Sequence, residues 1–181
     1  MRVLLVALFV VHATFATAND LAMLKEKGTV ALMRHALAPG TGDPASFELG
    51  ACSTQRNLDD RGRDQARRTG RALRKAGVTF DHVWTSQWCR TRETAELMDM
   101  GEVVEKPPLN SFFAGRGDRA RQTAATRRLL DALPSGASVL IVTHQVNISA
   151  LTGGFVRSGE IIVTRRTDDG LEPVGRILIA P

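Results

Sequence analysis

The chain has 181 residues, of which 43% are hydrophobic and 24% are charged, and its formal net charge is +5 at pH 7. This size and composition indicate one globular domain with its own core and exclude a disordered or fibrous protein. The basic excess comes mostly from arginine, which binds phosphate or carboxylate bidentately and suits an anionic ligand. Few aromatic residues and no nucleic-acid-binding motif argue against nucleic acid as a partner. No Cys or His pairs have metal-ligand spacing, so we expect no metal and no cofactor.

The first residues have the pattern of an export signal. Met1-Arg2 precedes the apolar run 3–11, and Ala16-x-Ala18 is typical of a signal-peptidase site. The apolar run is too short for a comfortable membrane span. We therefore predict a signal peptide over residues 1–18 and a mature periplasmic or secreted domain over 19–181, without stable membrane insertion. An uncleaved anchor is the alternative.

Strands and helices alternate along the rest of the chain. Short apolar β-branched runs predict the strands, and amphipathic segments bounded by Asp caps and Gly stops predict the helices. In chain order these are strand 29–33, a helix from Asp59 or Asp60 to about 76, strand 82–86, helix 90–98, strand 103–104, helix 118–133, strand 139–143, helix 147–151, and strands 160–166 and 174–179. The alternation predicts a single-domain α/β layered sandwich.

Two irregular stretches interrupt this alternation, at residues 36–57 and 109–117. A loop as long as the first is usually functional or mobile, so we expect it to cover a site. The two cysteines, Cys52 and Cys89, each lie in a segment that we expect near the site. Export permits a disulfide between them, and two separate thiols are an equal alternative, because sequence alone does not give their Cα distance.

Two histidines directly follow predicted strands, namely His35, which is preceded by Arg34, and His144. In an α/β sandwich the ligand crevice lies beyond the carboxyl ends of the strands. Arg90 begins a predicted helix near the same edge, where free N–H groups and the helix dipole attract anions. We therefore predict that these four side chains meet around a phosphoryl group.

Four motifs occur in an order and spacing that resemble a known family, the histidine phosphatase superfamily in its phosphoglycerate-mutase-like branch. The motifs are Met33-Arg34-His35-Ala36, Leu58-x-x-x-Gly62-x-x-Gln65-Ala66, the segment 86–95 and Val142-Thr143-His144. The resemblance implies a three-layer α/β/α sandwich with a central, mostly parallel sheet. It also implies that His35 is a nucleophile forming a phosphohistidine, while Arg34, Arg90 and His144 hold the phosphoryl oxygens.

The long loop is similar to that of exported bacterial relatives of the lipopolysaccharide core heptose phosphatases. That similarity implies that Gln55 and Arg56 contact the phosphate or a sugar of the substrate. A role at the helix entry, or in a surface salt bridge, is the alternative for both residues.

The chain departs from the family pattern at the proton donor. Ser111 stands where the mutase-like pattern has a glutamate, and serine is not a comparable acid at neutral pH. Either Asp43 or Glu48 of the long loop takes the place of that glutamate, or the leaving group departs with little protonation. The general acid is therefore unassigned. The missing acid favours a phosphatase over a mutase.

We therefore expect a phosphoric monoester hydrolase of the histidine acid phosphatase type. Its substrate would be a small phosphorylated molecule or an envelope component such as a phosphorylated sugar. A noncatalytic phosphate-binding relative is the alternative. The sequence does not indicate an oligomeric state.

Overall fold

A computed structural model describes residues 18–181. The predicted signal peptide lies outside the described residues, apart from Ala18, where the first helix begins. The helices are α1 Ala18–Met23, α2 Asp60–Lys75, α3 Cys89–Met98, α4 Arg119–Asp131 and α5 Gln145–Thr152. The strands are β1 Thr29–Arg34, β2 His82–Thr85, β3 Val103–Glu105, β4 Val139–Thr143, β5 Glu160–Thr167 and β6 Gly170–Leu178. Short 3-10 helices cover Cys52–Thr54, Pro107–Leu109 and Phe113–Gly115.

The strands form one six-stranded sheet in the order β3-β2-β4-β1-β5-β6. Strands β3, β2, β4 and β1 are parallel neighbours, whereas β5 pairs antiparallel with both β1 and β6. The prediction of a mostly parallel sheet is thus confirmed. In the β1–β4 register Arg34 lies opposite Thr143, so the two strands end level with each other and the next residues leave the sheet side by side.

Each face of the sheet has its own apolar core, because alternate strand residues point to opposite sides. On one face Met33, Leu140 and Ile161 pack with Leu73 of α2 and Met98 of α3. On the other face the core is built from alternate strand residues and from α4, α5 and the 107–109 turn, and comprises Val30, Leu32, Trp84, Leu109, Leu130, Val139, Ile141, Ile148, Leu151, Val156 and Ile162. Two cores around one sheet confirm the three-layer sandwich.

The cap predicted for α2 is confirmed at Asp59, and some element boundaries differ from those predicted. The Asp59 side chain accepts from the Gly62 N–H and the Asp118 side chain from the Arg121 N–H, which fixes the starts of α2 and α4. Helix α5 begins two residues before its predicted start, directly after His144, and β6 begins four residues early. No helix among residues 18–181 is long and apolar enough to cross a bilayer.

Candidate active site

The two histidines predicted to meet do so at the carboxyl end of the sheet. His35 follows β1 and His144 follows β4, and their ring centroids are 5.8 Å apart with planes inclined at 68°. Both residues are buried, with 2% and 3% of their surface exposed. The His35 N–H donates to the Thr143 carbonyl, so the β1–β4 ladder continues into the site and fixes the backbone there.

The ring of His35 has one nitrogen engaged and one available. Its Nδ1 lies 2.8 Å from the Ala36 carbonyl, which can only accept, so Nδ1 carries the proton and Nε2 keeps its lone pair. Burial, and then the charge of Arg90, holds the pKa of His35 well below its ordinary value of 6.5. The imidazole is therefore neutral near pH 7, as a nucleophile requires.

His144 is oriented by a short chain of hydroxyl groups. Its Nε2 lies 2.9 Å from Ser86 Oγ, and Ser86 Oγ lies 2.7 Å from Thr91 Oγ1, all of them buried. Burial, followed by the charge of Arg90, also holds the pKa of His144 well below 6.5. Ser86 ends the predicted strand 82–86, and the structure identifies it as the partner that fixes His144.

Three arginines converge on the same cavity, which has a volume of about 150 Å³. Arg34 Nη1 donates to Gln145 Oε1 and to the Val156 carbonyl, at 3.3 and 3.1 Å. The Nε atoms of Arg34 and Arg90 are buried and have no acceptor among the described residues. Buried donors normally have partners, so the guanidinium groups of Arg34 and Arg90 are incompletely satisfied by the protein, and both residues line the cavity.

Arg56 also lines this cavity, and its contact with substrate stays a prediction. Its Nε donates to the Gly42 carbonyl at 2.7 Å and its Nη1 to the Ala38 carbonyl at 2.5 Å, which fastens the long loop over the site. Burial, and then the charge of Arg90, lowers the pKa of Arg56 to about 10, so the side chain remains charged at neutral pH.

Gln55 does not line the cavity. Its Oε1 accepts from the Cys89 N–H at 2.9 Å, and its Nε2 donates to the Glu48 carbonyl at 3.1 Å. Both polar atoms of the amide are therefore engaged in holding the loop against the start of α3. Direct contact of Gln55 with substrate stays a prediction.

Asp43 makes a contact that sequence analysis missed. Its carboxylate binds Arg90 through two hydrogen bonds, at 2.6 and 3.2 Å, and both side chains are nearly fully buried. It also accepts from Trp88 Nε1 and from the Arg56 N–H, each at 3.1 Å. The two charged partners are 47 residues apart in the chain, so no local spacing signals their pairing.

These contacts argue against Asp43 as the general acid. Its burial raises the pKa of the carboxyl, but the hydrogen bonds and charge of Arg90 outweigh that effect and leave the pKa below its usual value. Glu48 is exposed and does not line the cavity.

The cavity lining contains no carboxyl group among the described residues. It comprises Arg34, His35, Gly40, Thr41, Gly42, Arg56, Arg90, Ser111, Phe113, His144, Gln145 and Val146. Ser111, in the slot where the family pattern has its acid, is buried there, and its Oγ accepts from the Phe113 N–H. The site thus contains cationic and neutral groups around one nucleophile. Within residues 18–181 no three His, Cys, Asp or Glu side chains are grouped closely enough to hold a metal ion.

The alternative left open for the cysteines is resolved, because Cys52 and Cys89 form a disulfide. The bond joins the 52–54 turn of the long loop to the first residue of α3. Arg90 is the next residue of that helix, so a covalent link, the Gln55 amide and the Asp43 carboxylate all fasten the loop next to it.

Comparison with known proteins agrees with this geometry. Residues 30–118 match the histidine phosphatase superfamily (branch 1), and the matched segment contains Arg34, His35 and Arg90. The chain carries a histidine phosphatase superfamily domain. His144 lies beyond the matched segment, and the β1–β4 register is what brings it to the same site.

Solved structures of this fold are similar over most of the chain. A putative alpha-ribazole-5'-P phosphatase from Escherichia coli has a TM-score of 0.65 and 21% identity, with 84% of this chain and 96% of that one covered. A phosphoglycerate mutase from Thermus thermophilus has a TM-score of 0.59 and 17% identity, with 83% and 99% covered. The protein histidine phosphatase SixA, complexed with tungstate, has a TM-score of 0.58 and 18% identity, with 83% and 96% covered. At these identities the likeness shows the fold, which is the predicted phosphoglycerate-mutase-like one.

Curated relatives match over shorter segments. The mitochondrial serine/threonine-protein phosphatase Pgam5 of Drosophila grimshawi is 38% identical over 52 residues, or 29% of this chain and 18% of the relative. Its counterpart in Drosophila mojavensis is 34% identical over 73 residues, or 40% and 25%. The matches thus span a quarter or less of these relatives.

Proposed function

We propose that this protein is a phosphatase that hydrolyses phosphomonoesters through a phosphohistidine on His35. The observation that carries the proposal is a neutral, buried His35 with Nδ1 engaged and Nε2 available, in a cavity that Arg34, Arg56, Arg90 and His144 also line. The family of the domain supports the same chemistry, as do its relatives, which include two serine/threonine-protein phosphatases and the protein histidine phosphatase SixA.

The first step transfers the phosphoryl group to the enzyme. His35 Nε2 attacks phosphorus, a nitrogen–phosphorus bond forms, and the ester oxygen–phosphorus bond breaks in line with it. The leaving oxygen takes the bonding electrons and acquires a proton. Arg34, Arg56 and Arg90, with His144, surround the nonbridging oxygens and stabilise their charge in the transition state.

The second step returns the enzyme to its starting state. Water attacks phosphorus, the nitrogen–phosphorus bond breaks, and its electrons return to Nε2 while the proton of the water leaves with the phosphate or to solvent. Tungstate, an oxyanion of the same charge as a phosphate dianion, binds to the SixA relative, and the cavity here has the cationic groups to bind such an ion.

No carboxyl group of residues 18–181 lines the cavity, and this affects the expected substrate preference. Without a general acid at Ser111 or Asp43, the leaving oxygen depends on water or its own acidity. We infer that leaving groups of low pKa, such as phenols, turn over faster than simple alkoxides. As the natural substrate we propose a small phosphorylated molecule or an envelope component such as a phosphorylated sugar.

The decisive experiment is to trap the phosphoenzyme. Purified protein mixed with a ³²P-labelled aryl phosphate and quenched should yield an acid-labile, alkali-stable label, as phosphohistidine does, and should release p-nitrophenol from p-nitrophenyl phosphate. His35→Ala should lose both while vanadate or phosphate still binds. No label and no turnover between pH 5 and 7.5, with phosphate binding intact, would instead identify a noncatalytic phosphate-binding protein.

We further propose that the protein acts outside the cytoplasm, in the periplasm or beyond it. The supporting features are the sequence pattern of residues 1–18 and the Cys52–Cys89 disulfide, a bond that persists in oxidising compartments. Fractionation of the source cells should find a shortened chain beginning at Asn19 in the exported fraction. A full-length chain in the cytosolic fraction would contradict this placement.

A further inference from the structure

A second and larger concavity, of about 730 Å³, flanks the catalytic cavity. We call it the arginine groove. It is lined by Phe47, Leu49, Trp88, Pro107, Pro108, Asn110, Arg116, Gly117, Arg121, Gln122, Ala125 and Arg128. Alternate parts of one loop face the two concavities, since Asn110 lines the groove whereas Ser111 and Phe113 line the catalytic cavity. A ligand in the groove therefore lies beside the mouth of the site.

The charges of the groove all have one sign. Arg116, Arg121 and Arg128 line it, and no carboxylate of the part of the chain that the structure describes does so. Arg121 and Arg128 are exposed, and neither guanidinium has a hydrogen-bond or ion-pair partner among the described residues. Some surface arginines do pair, as Arg63 does with Glu93, whereas the side chains of Arg121 and Arg128 have no acceptor among residues 18–181. An anionic ligand would supply a hydrogen-bond acceptor to both guanidinium groups.

The groove is rigid and apolar between these charges. The Phe47 ring stacks on Trp88 at a centroid distance of 4.9 Å, and the Arg116 guanidinium lies over the Phe47 ring, 4.4 Å from its centroid. The Pro108 and Asn110 carbonyls accept from the Gln122 side chain, which ties the proline wall to α4. Rigid apolar surface beside arginine is the composition of protein-binding hot spots.

The same contacts argue against a nucleic-acid ligand. Single-stranded nucleic acids bind by stacking bases on exposed aromatic faces. The Phe47 ring is already in contact with Trp88 and Arg116, and Trp88 is 3% exposed. The groove thus offers arginines and apolar walls without a free stacking platform.

We propose that the arginine groove docks an extended acidic segment of a partner polypeptide. Arg121 and Arg128 are seven residues apart on one helix, which places them about 10 Å apart along its axis. A polyproline II segment, the extended form that proline favours, rises about 3.1 Å per residue with three residues per turn, so side chains three positions apart lie on the same side about 9 Å apart. The expected segment therefore has two acidic residues three positions apart with apolar residues or proline between them. This inference goes beyond the proposed phosphatase activity and does not depend on it.

Peptide binding tests the assignment without any catalytic step. The probe is a fluorescein-labelled nonapeptide with two glutamates three residues apart and leucine and proline between them, titrated with the full mature chain at low salt. Fluorescence anisotropy should show saturable binding, and a peptide with glutamine at both positions should bind roughly tenfold more weakly or not at all. Equal affinity for both peptides would overturn the proposal.

Charge reversal on the two sides of α4 provides the matched control. R121E/R128E should weaken binding of the acidic peptide at least about tenfold. R119E/R127E makes the same change in net charge on the same helix, but these residues line a separate depression, so affinity should stay within about twofold. Hydrolysis of p-nitrophenyl phosphate should be unchanged in both, which shows that the variants fold. Equal losses in the two double variants would mean nonspecific attraction and would overturn the proposal.

The same variants would also reveal two other ligands of the arginine groove, a lipid surface and a second copy of the chain. Vesicles of phosphatidylcholine with phosphatidylglycerol that bind the wild type but not R121E/R128E, while the peptide does not bind, would assign the surface to lipid. Concentration-dependent self-association abolished by R121E/R128E would assign it to a second copy of the chain. Either result would overturn the assignment to a partner polypeptide. Loss of phosphatase activity alone would not contradict the assignment of the groove to a partner polypeptide, because peptide binding is measured independently.

Discussion

At the scale of single residues, the site depends on a balance of charge around His35. Three buried or half-buried arginines lie near two neutral histidines, and Asp43 is the carboxylate that offsets part of their charge. Its bidentate contact with Arg90 fixes the orientation of that guanidinium, because the carboxylate is itself held by Trp88 and the Arg56 backbone. Asp43 is therefore a positioning residue and its contacts leave no proton for transfer.

Replacing Asp43 by Asn should separate binding from turnover. The site gains positive charge and Arg90 loses its orienting partner, so inorganic phosphate should inhibit at lower concentration while kcat falls at least about tenfold. Steady-state kinetics with p-nitrophenyl phosphate, with phosphate as inhibitor, measure both effects. Glu48→Gln, an exposed carboxyl on the same loop, is the control and should change neither. Unaltered kcat in Asp43→Asn would contradict the positioning role.

A carboxyl group at position 111 should widen the range of substrates. Ser111→Glu places an acid in the catalytic cavity, so turnover of an alkyl phosphate should rise by roughly tenfold or more relative to an aryl phosphate. The measurement is the ratio of kcat/KM for glycerol phosphate and p-nitrophenyl phosphate. Ser111→Ala is the control and should leave the ratio as it is in the wild type. A ratio that does not move in Ser111→Glu would show that leaving-group protonation is not limiting.

At the scale of elements, the helices and the long loop hold the catalytic side chains in place. Helix α3 carries Arg90, and it lies close to α2 because Gly70 of α2 packs directly on the Met98 backbone. A Cβ at Gly70 would overlap the Met98 carbonyl, so the close approach requires glycine here. The disulfide and the Gln55 amide fasten the loop to the opposite end of α3.

Gly70→Ala should therefore destabilise the fold, although alanine usually favours a helix interior by about 0.5–1 kcal/mol over glycine. Overlap with backbone costs about 1–3 kcal/mol, and relief would require α2 and α3 to separate. Urea unfolding followed by circular dichroism measures the loss, with Arg71→Ala at an exposed position of α2 as the control. A more stable Gly70→Ala protein would show that the helices are not held this close.

Removing the disulfide should lower both stability and substrate affinity. Its cysteines are 37 residues apart, and closing a loop of that size contributes about 2–4 kcal/mol. C52S/C89S should unfold at lower urea concentration and show a higher KM, because the loop that carries Asp43 and Arg56 is less firmly held. Wild type treated with dithiothreitol should behave in the same way. Full stability and an unchanged KM in both would contradict this role.

Sequence patterns predicted the elements well where apolar periodicity and caps were strong. Strand β1, strand β4 and helix α2 have the predicted positions, because their buried runs and the Asp59 cap leave few alternatives. The starts of α5 and β6 were misplaced. His144 makes no side-chain capping bond, so no capping motif marks the start of α5, and β6 begins at the exposed turn into Gly170 without an apolar run.

Some parts of the site could be predicted from the sequence and others could not. His35, Arg34, Arg90 and His144 meet because strand ends share one edge of the sheet, which follows from topology. The contacts of Asp43 depend on how the irregular 36–57 loop folds back on α3. Loop conformation has no periodic signal in sequence, so those contacts could not be derived in advance.

At the scale of the whole molecule, folding joins three distant segments into one cavity that keeps two histidines uncharged. In the unfolded chain these histidines have an ordinary pKa near 6.5. Their folded pKa is lowered, so the unfolded state binds more protons below pH 6.5 and stability falls as the pH decreases through that range. Asp43, whose folded pKa is also lowered, contributes stability above its ordinary pKa of 3.8 and loses it only at lower pH.

The free energy of unfolding should therefore decline between pH 6.5 and pH 5. Each buried histidine contributes a slope of up to about 1.4 kcal/mol per pH unit. Urea titrations at half-unit intervals measure the slope, and H35N/H144N should flatten it. A wild-type slope equal to that of the double variant would show that the histidines bind protons equally well in both states.

The stacking of Trp88 has a practical consequence for optical work. The chain has two tryptophans, and Trp88 lies between the Phe47 ring of the long loop and the edge of the His144 ring, with its N–H on Asp43. In a Trp84→Phe protein the remaining indole becomes a built-in fluorophore at the boundary of the two concavities. Its emission should respond to vanadate entering on one side and to peptide on the other, so a single cuvette titration can follow both occupancies in real time.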